Sequence, residues 1–143
     1  MADQKNCFFH ELHSSDLRDF ADSFFDAVFA EAVLIHMARD DSFHYMKETF
    51  RVLKPGGRAY FQFYNILNPE GFNYFLRVLE LNDHTGEHLV SRPRFHTAQE
   101  IRQYVERIGF QIDEELSRLD DVEQKNERHH NYVLNAVVTK PVA

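Results

Sequence analysis

The side chains of this sequence that could do chemistry are mainly histidines and arginines near the ends of apolar segments. His36 follows the apolar run Phe24–Val33. Because an imidazole titrates near neutrality, His36 could orient or deprotonate a reacting group, or it could cap a turn. Arg92, Arg94 and His96 are spaced two residues apart, and arginine offers forked donors to carboxylate or phosphate. This cluster could bind an anionic acceptor, or it could be a solvated basic loop.

The histidine spacing does not indicate a metal site. His84 and His88 have the i, i+4 spacing that can chelate zinc on a helix, but Thr85 and Gly86 between them favour a loop. Two further pairs lack a clear set of carboxylate partners, and we interpret them as surface histidines: His10 with His13, and His129 with His130.

Size and charge exclude several classes of protein. The chain has 143 residues and 43% hydrophobic residues, enough for one folded domain over residues 1–143. Its net charge of -7 and the lack of a polybasic segment argue against a nucleic-acid partner. The apolar runs are shorter than the roughly 18 residues that span a bilayer. A single cysteine, Cys7, fits a reducing compartment, so we expect a cytoplasmic protein.

The first half of the chain predicts a strand, a helix and a second strand. Phe24–Val33 is apolar on both faces, which is typical of a central strand. One of Asp40, Asp41 and Ser42 is expected to cap a helix that ends before Pro55-Gly56-Gly57. That triplet predicts a sharp turn into a strand over Arg58–Tyr64. A weaker pattern in Asn6–His13 could form a short strand before all of these.

The second half predicts two helices and two strands. Asn68 and Pro69 begin a helix with an apolar stripe, and a long loop follows over Asn82–His96. Thr97 and Glu100 form a capping box for a helix that Gly109 ends. The last two strands should pair in antiparallel fashion, and they are predicted at Phe110–Leu116 and Tyr132–Lys140.

Alternation of strands with crossover helices predicts a doubly wound α/β fold with parallel strands. Ligands of such sheets bind beyond the carboxyl ends of the parallel strands, here around Ala30–Met37 and Tyr64–Leu67. Tyr64 and Asn65 could therefore face a substrate, although the aromatic residues of their strand are mostly expected in the core.

Four features carry a resemblance to a known family: the Phe25-Asp26 strand opening, the turn at Val33–His36, the turn at Arg51–Gly57 and the helix exit at Gly109-Phe110. In this order they resemble the second half of a class I S-adenosylmethionine-dependent methyltransferase of the small-molecule type, over residues 6–140. The resemblance implies a partial Rossmann-like methyltransferase fold: a mixed sheet with parallel central strands and an antiparallel C-terminal hairpin.

The resemblance also implies a site. Either Ser14 or Asp16, together with Leu17, is similar in position to the residues that contact the adenine of S-adenosylmethionine. Ala30 and Glu31 are similar to those beside its methionine part. Complete family members also have an earlier glycine-rich turn and an acid that holds the ribose. This sequence has five glycines and no Gly-x-Gly, so binding of the cofactor by these residues alone is in question.

Two functions remain open at this point. The chain could be part of a methyltransferase acting on a small acceptor, with the cofactor-binding half elsewhere on the polypeptide or on a partner subunit. It could instead be a non-catalytic module that does not bind the cofactor alone. If Phe24–Val33 lacks its usual neighbours, its edge should be covered, either by Asn6–His13 or by a second chain in a homodimer.

Overall fold

The structure is a computed structural model that describes residues 6–85, 92–121 and 132–142. A short 3₁₀ turn at Leu34–His36 separates the first strand from the first helix. The other elements, in chain order, are β1 (Phe25–Ala30), α1 (Arg39–Val52), β2 (Leu53–Asn65), α2 (Pro69–Thr85), β3 (Phe95–His96), α3 (Ala98–Ile108), β4 (Gln111–Ile112) and β5 (Val133–Thr139).

The strands form one mixed sheet in the order β1-β2-β5-β4, with β3 also beside β2. β1 runs parallel to β2, whereas β2–β5 and β4–β5 are antiparallel. Tyr64 of β2 pairs with β5 on one side and with Phe95 of β3 on the other. β3 therefore lies on the β1 side of β2, beyond the carboxyl end of β1. This arrangement confirms the predicted partial Rossmann-like α/β class and the antiparallel C-terminal pair.

The core lies between one face of the sheet and helices α1 and α3. Inward residues of β2 alternate with outward ones, as a strand requires. Met46 of α1 and Ile101 of α3 are fully buried against them. The buried residues that β2 and β5 contribute to this cluster are Leu53, Ala59, Phe61, Phe63, Leu134, Ala136 and Val138.

The predicted turn at Pro55-Gly56-Gly57 is a bulge inside a longer strand. β2 pairs with β1 at Leu53, and regular pairing resumes only at Arg58. Gly56 has a φ of 81°, which favours glycine. A Cβ on Gly57 would lie 2.8 Å from the carbonyl oxygen of Lys54, so the bulge can close this tightly only with glycine there.

Two of the four predicted helix signals are confirmed, and a third, the capping box of Thr97 and Glu100, is confirmed only for Thr97, because the Glu100 carboxylate binds Arg39 and Tyr104 instead. Asn68 Oδ1 accepts a hydrogen bond from the Glu70 amide (2.9 Å). Thr97 Oγ1 accepts from the Glu100 amide (3.1 Å), and Gly109 ends α3 with a φ of 102°. The prediction that one of Asp40, Asp41 and Ser42 caps α1 is wrong.

Helix α1 begins earlier than the sequence indicates. Its N-cap is Ala38, without a side-chain hydrogen bond, and both Asp40 and Asp41 lie inside the first turn, where their charge favours the helix dipole. Ser42 is buried and its hydroxyl lies 3.4 Å from the Leu34 carbonyl oxygen. The packing of the 3₁₀ turn against α1 therefore sets this helix start.

Several strand boundaries also differ from the prediction. β1 ends at Ala30 because the chain turns at Ala32 (φ 54°), and β4 contains only Gln111–Ile112. Residues 6–13 contain no strand. The expected loop over Asn82–His96 is wrong at both ends, since α2 continues to Thr85 and Phe95–His96 form β3; residues 86–91 lie outside the described part of the chain. No helix in the described ranges is long and apolar enough to cross a membrane.

Candidate functional site

Several of the predicted site residues lie at one edge of the sheet, where β1, β2 and β3 end. Ala30 is the last residue of β1, and Tyr64 and Asn65 end β2. The Ser15 hydroxyl donates to Asp41 in the first turn of α1 (3.1 Å). Because α1 starts at this edge, the contact also brings residues 14–16 there. The sheet therefore assembles segments that are far apart in sequence.

A strained turn follows β1 at this edge. Ala32 has a φ of 54°, a left-handed conformation that costs a non-glycine residue about 1–2 kcal/mol. Its amide donates to Oε1 of Gln62, which points from β2 toward the turn (3.1 Å). The exposed Glu31 lies between this strained residue and the buried Ala30. Strain held in place by a neighbouring side chain is typical of functional turns.

The residues expected on the adenine side differ in accessibility. The Arg18 guanidinium binds both oxygens of Asp16, and these hydrogen bonds hold the pKa of Asp16 well below its usual range. Leu17 is buried, and its amide donates to Oε2 of Glu48 (3.1 Å). Ser14 is exposed. Of the two alternatives, Ser14 therefore has the more accessible side chain.

Tyr64 and Asn65 lie at the predicted strand end but face opposite sides of the sheet. The Tyr64 ring packs in a cluster of aromatic rings, with its centroid 5.1 Å from Tyr132 and 5.9 Å from Tyr74. Burial raises the pKa of Tyr64. Asn65 is buried and its Oδ1 accepts from the Leu67 amide (2.9 Å), so this side chain stabilises the turn into α2.

His36 and Arg94 are both exposed and belong to adjoining segments. His36 ends the 3₁₀ turn. The Arg94 amide donates to the carbonyl oxygen of Ile35 (2.6 Å), which fixes the segment around Arg92 and Arg94 beside that turn. This backbone hydrogen bond holds the imidazole of His36 and the guanidinium of Arg94 on neighbouring segments, at the edge of the sheet where β1 and β2 end.

His96 is separated from these exposed residues by burial. It is fully buried, and neither ring nitrogen has a hydrogen-bond partner in the described part of the chain. Its ring centroid lies 5.1 Å from that of Phe63. Burial lowers the pKa of His96 and nearby Arg39 adds to the effect, while Glu100 opposes it. A neutral buried imidazole does not extend the basic surface of Arg94.

A group of polar side chains beside His96 was not predicted from the sequence. Glu100 Oε1 accepts hydrogen bonds from Arg39 Nε (2.7 Å) and from the Tyr104 hydroxyl (2.6 Å). Burial disfavours the charged carboxylate, yet these two bonds give Glu100 a lowered pKa. The group joins α1 to α3 under β3. The described residues contain no set of three histidine, cysteine or carboxylate side chains arranged for a metal ion.

The comparisons with known proteins agree on one class. Residues 2–61 match a family model described as a methyltransferase domain. A solved S-adenosylmethionine-dependent methyltransferase from Methanosarcina mazei superposes with a TM-score of 0.65 at 22% identity, covering 90% of this chain and 65% of its own. This chain therefore spans less than two thirds of that protein.

Two further structures have the same fold. A Burkholderia thailandensis 1,6-didemethyltoxoflavin-N1-methyltransferase, solved with bound 1,6-didemethyltoxoflavin and S-adenosylhomocysteine, has a TM-score of 0.52 at 14% identity, covering 85% of this chain and 46% of its own. A chain from a Haloferax volcanii complex of a methyltransferase activator and a putative methyltransferase has a TM-score of 0.57 at 20% identity, covering 90% and 59%. These structures confirm the predicted methyltransferase-like fold, and the family model supports the resemblance over residues 2–61.

Proposed function

We propose that this chain forms part of a methyltransferase domain that transfers a methyl group from S-adenosylmethionine to a small acceptor. The main support is the parallel β1–β2 pair, because its carboxyl end combines the strained Ala32 turn with the Ser14–Asp16 segment. Both come from the part of the chain that matches the family model. A cytoplasmic location for the protein fits its single free Cys7.

The residues at this edge fit one side of the cofactor. Ala30 and Glu31 would lie beside the methionine part, with exposed Glu31 available to its ammonium group. Ser14 is the better candidate for the adenine, since the Asp16 carboxylate already binds Arg18. Leu17 would support that segment from the core. When bound, the cofactor supplies an electrophilic methyl group on sulfur.

The acceptor would approach from the side of the 3₁₀ turn. His36 is exposed there and would accept a proton from the acceptor nucleophile, while Arg94, and Arg92 beside it, would bind an anionic group of the acceptor. Methyl transfer needs mainly alignment of nucleophile, carbon and sulfur, so positioning is the chief demand on these residues. Tyr64 and Asn65 would shape the floor of the site by holding the start of α2.

Calorimetric titration with S-adenosylmethionine and S-adenosylhomocysteine tests the proposal. We expect a dissociation constant in the micromolar range, raised at least about tenfold by Glu31→Ala through loss of about 1.4 kcal/mol. Asp26→Ala is the matched control, because Asp26 is an exposed acid at the other end of the same strand. Absence of heat at millimolar ligand, or an equal effect of both variants, contradicts the cofactor site.

A second candidate function is a non-catalytic, self-associating module that has kept the fold without binding the cofactor alone. The specific observation in its favour is that β1, predicted to be central, is the outer strand of the described sheet. If the same calorimetric titration detects no binding of S-adenosylmethionine and the chain associates stably with itself, the result would favour this module over the enzyme.

A further inference from the structure

We infer that Glu48 and Arg51 of α1 position the segment of residues 14–22 and thereby set the affinity for the adenosine part of the cofactor. The inference rests on the proposed function, because this segment holds Ser14, the proposed adenine contact. Residues 14–22 contain neither helix nor strand. Their position therefore depends on hydrogen bonds to other elements, and α1 supplies these bonds from one side.

The guanidinium of Arg51 is the centre of these bonds. Nη2 donates to the carbonyl oxygen of Leu17 (2.9 Å), and Nη1 donates to the carbonyl oxygen of Phe20 (2.9 Å) and to Oδ1 of Asp22 (2.7 Å). Nε and Nη2 also donate to the two carboxylate oxygens of Glu48 (3.0 and 2.8 Å). These bonds are as many as the N–H donors of a guanidinium. The side chain is therefore fixed in one orientation, which a lysine ammonium does not reproduce.

Glu48 completes the attachment of Leu17. Its Oε2 accepts a hydrogen bond from the Leu17 amide (3.1 Å), so the amide and the carbonyl group of this one residue are both bound by the Glu48–Arg51 pair. The hydrogen bonds from Arg51 lower the pKa of Glu48 and the Leu17 amide adds to the effect, while burial opposes it. The Leu17 side chain is buried on its other side. Both the backbone and the side chain of Leu17 are thus held in place, close in sequence to Ser14.

The bonds run along α1 from its last turn to its first. Asp41, Glu48 and Arg51 lie within about 80° of one another around the helix axis. Asp41 accepts the hydrogen bond from the Ser15 hydroxyl (3.1 Å) at the edge where the cofactor is proposed to bind. With a rise of about 1.5 Å per residue, Arg51 lies about 15 Å along the helix from Asp41. Arg51 therefore acts through the segment, as a positioning residue, and does not touch the cofactor.

The methionine side of the proposed site is held by different contacts. Ala30 and Glu31 are at the end of β1, which pairs with β2, and the turn that follows is fixed by the bond from the Ala32 amide to Gln62. These contacts do not involve α1. Displacement of residues 14–17 should therefore weaken the adenosine contacts alone, whereas a general loss of stability would weaken both sides.

Amide chemical shifts of the full chain, titrated with S-adenosylhomocysteine, test the inference. We expect Arg51→Lys, which keeps the charge but loses the planar fork, to raise the dissociation constant about tenfold. At saturation, the ligand-induced shifts of residues 14–17 should shrink, while those of Glu31 should equal the shifts in the unchanged protein. A loss confined to one side of the ligand distinguishes positioning from a general stabilising role.

Arg102→Lys is the matched control. Arg102 of α3 likewise donates to both carboxylate oxygens of Glu114 (2.7 and 3.0 Å) and to the carbonyl oxygen of Leu119 (3.3 Å), outside residues 14–22. This variant loses a comparable set of bonds in another part of the fold. Its dissociation constant for S-adenosylhomocysteine should therefore equal that of the unchanged protein.

Two variants of Glu48 give a second test, which decides the matter if circular dichroism shows that Arg51→Lys does not fold. Glu48→Ala removes the acceptor of the Leu17 amide and should raise the dissociation constant about tenfold. Glu48→Gln retains one oxygen for that amide. Its dissociation constant should therefore lie between those of Glu48→Ala and the unchanged protein.

The outcomes separate this inference from the proposed function. The inference alone is overturned if Arg51→Lys and Glu48→Ala bind as tightly as the unchanged protein. It is also overturned if the ligand-induced shifts shrink equally at residues 14–17 and at Glu31. If the unchanged chain gives no shifts at either place with millimolar S-adenosylhomocysteine, the proposed function fails, and the inference fails with it.

Discussion

Replacing Ala32 by glycine should stabilise this protein. Ala32 has a φ of 54° at the turn after β1. An alanine in the left-handed region costs about 1–2 kcal/mol, whereas glycine loses about 0.5–1 kcal/mol more conformational entropy on folding. The hydrogen bond from the Ala32 amide to Gln62 is retained, since it does not involve the replaced methyl group. We therefore expect a net gain of about 0.5–1 kcal/mol in the free energy of unfolding.

Urea denaturation followed by circular dichroism measures this change, and the melting temperature should rise by about 2 °C. Ala30→Gly is the matched control. Ala30 lies in the extended strand and is 1% exposed, so glycine there removes a buried methyl group and should destabilise by about 1–2 kcal/mol. A loss of stability in Ala32→Gly similar to that in the control would refute the strain at this turn.

The other predictions concern buried groups near the site. Because burial lowers the pKa of His96, the unfolded chain binds more protons, and the free energy of unfolding should fall as pH drops below about 6.5. Urea titrations should show this fall weakened in His96→Leu, and an unchanged pH profile would refute the assignment. Gly71→Ala places a Cβ 2.0 Å from the Asn65 carbonyl oxygen and should cost about 3 kcal/mol. The exposed Asn73→Ala on the same helix should cost little, and equal melting temperatures would contradict the clash.

The sequence alone was sufficient to predict the features that depend on interactions between residues close together in the chain. Asn68 and Thr97 accept hydrogen bonds from backbone amides two or three residues further along the chain, and Gly109 adopts a left-handed conformation. Because these interactions are local, the residue types predict where the helices begin and end. The alternation of β2 and the turn chemistry of Gly56 are equally local. The parallel β1–β2 pair and the antiparallel β4–β5 pair could also be predicted, because connection length and apolar pattern restrict the topology.

The candidate site was only partly predictable. Residue order placed Ala30 and Tyr64 at strand ends, and the parallel sheet brought them to one edge. Gln62 was missed although it is a polar residue between two buried phenylalanines, a pattern that could have indicated a partner. Ala32 gave no signal, since alanine does not favour a positive φ.

The sequence by itself determined the order of the longer elements, most helix boundaries and the class of fold, because these depend on local propensity and periodicity. Only the tertiary structure decided that His96 is buried while Arg94 is exposed, and that Glu100 joins Arg39 and Tyr104. Those features depend on which distant segments pack together. The residue type determines which hydrogen bonds a side chain can form, but the packing around it determines whether its partner is water or another protein group.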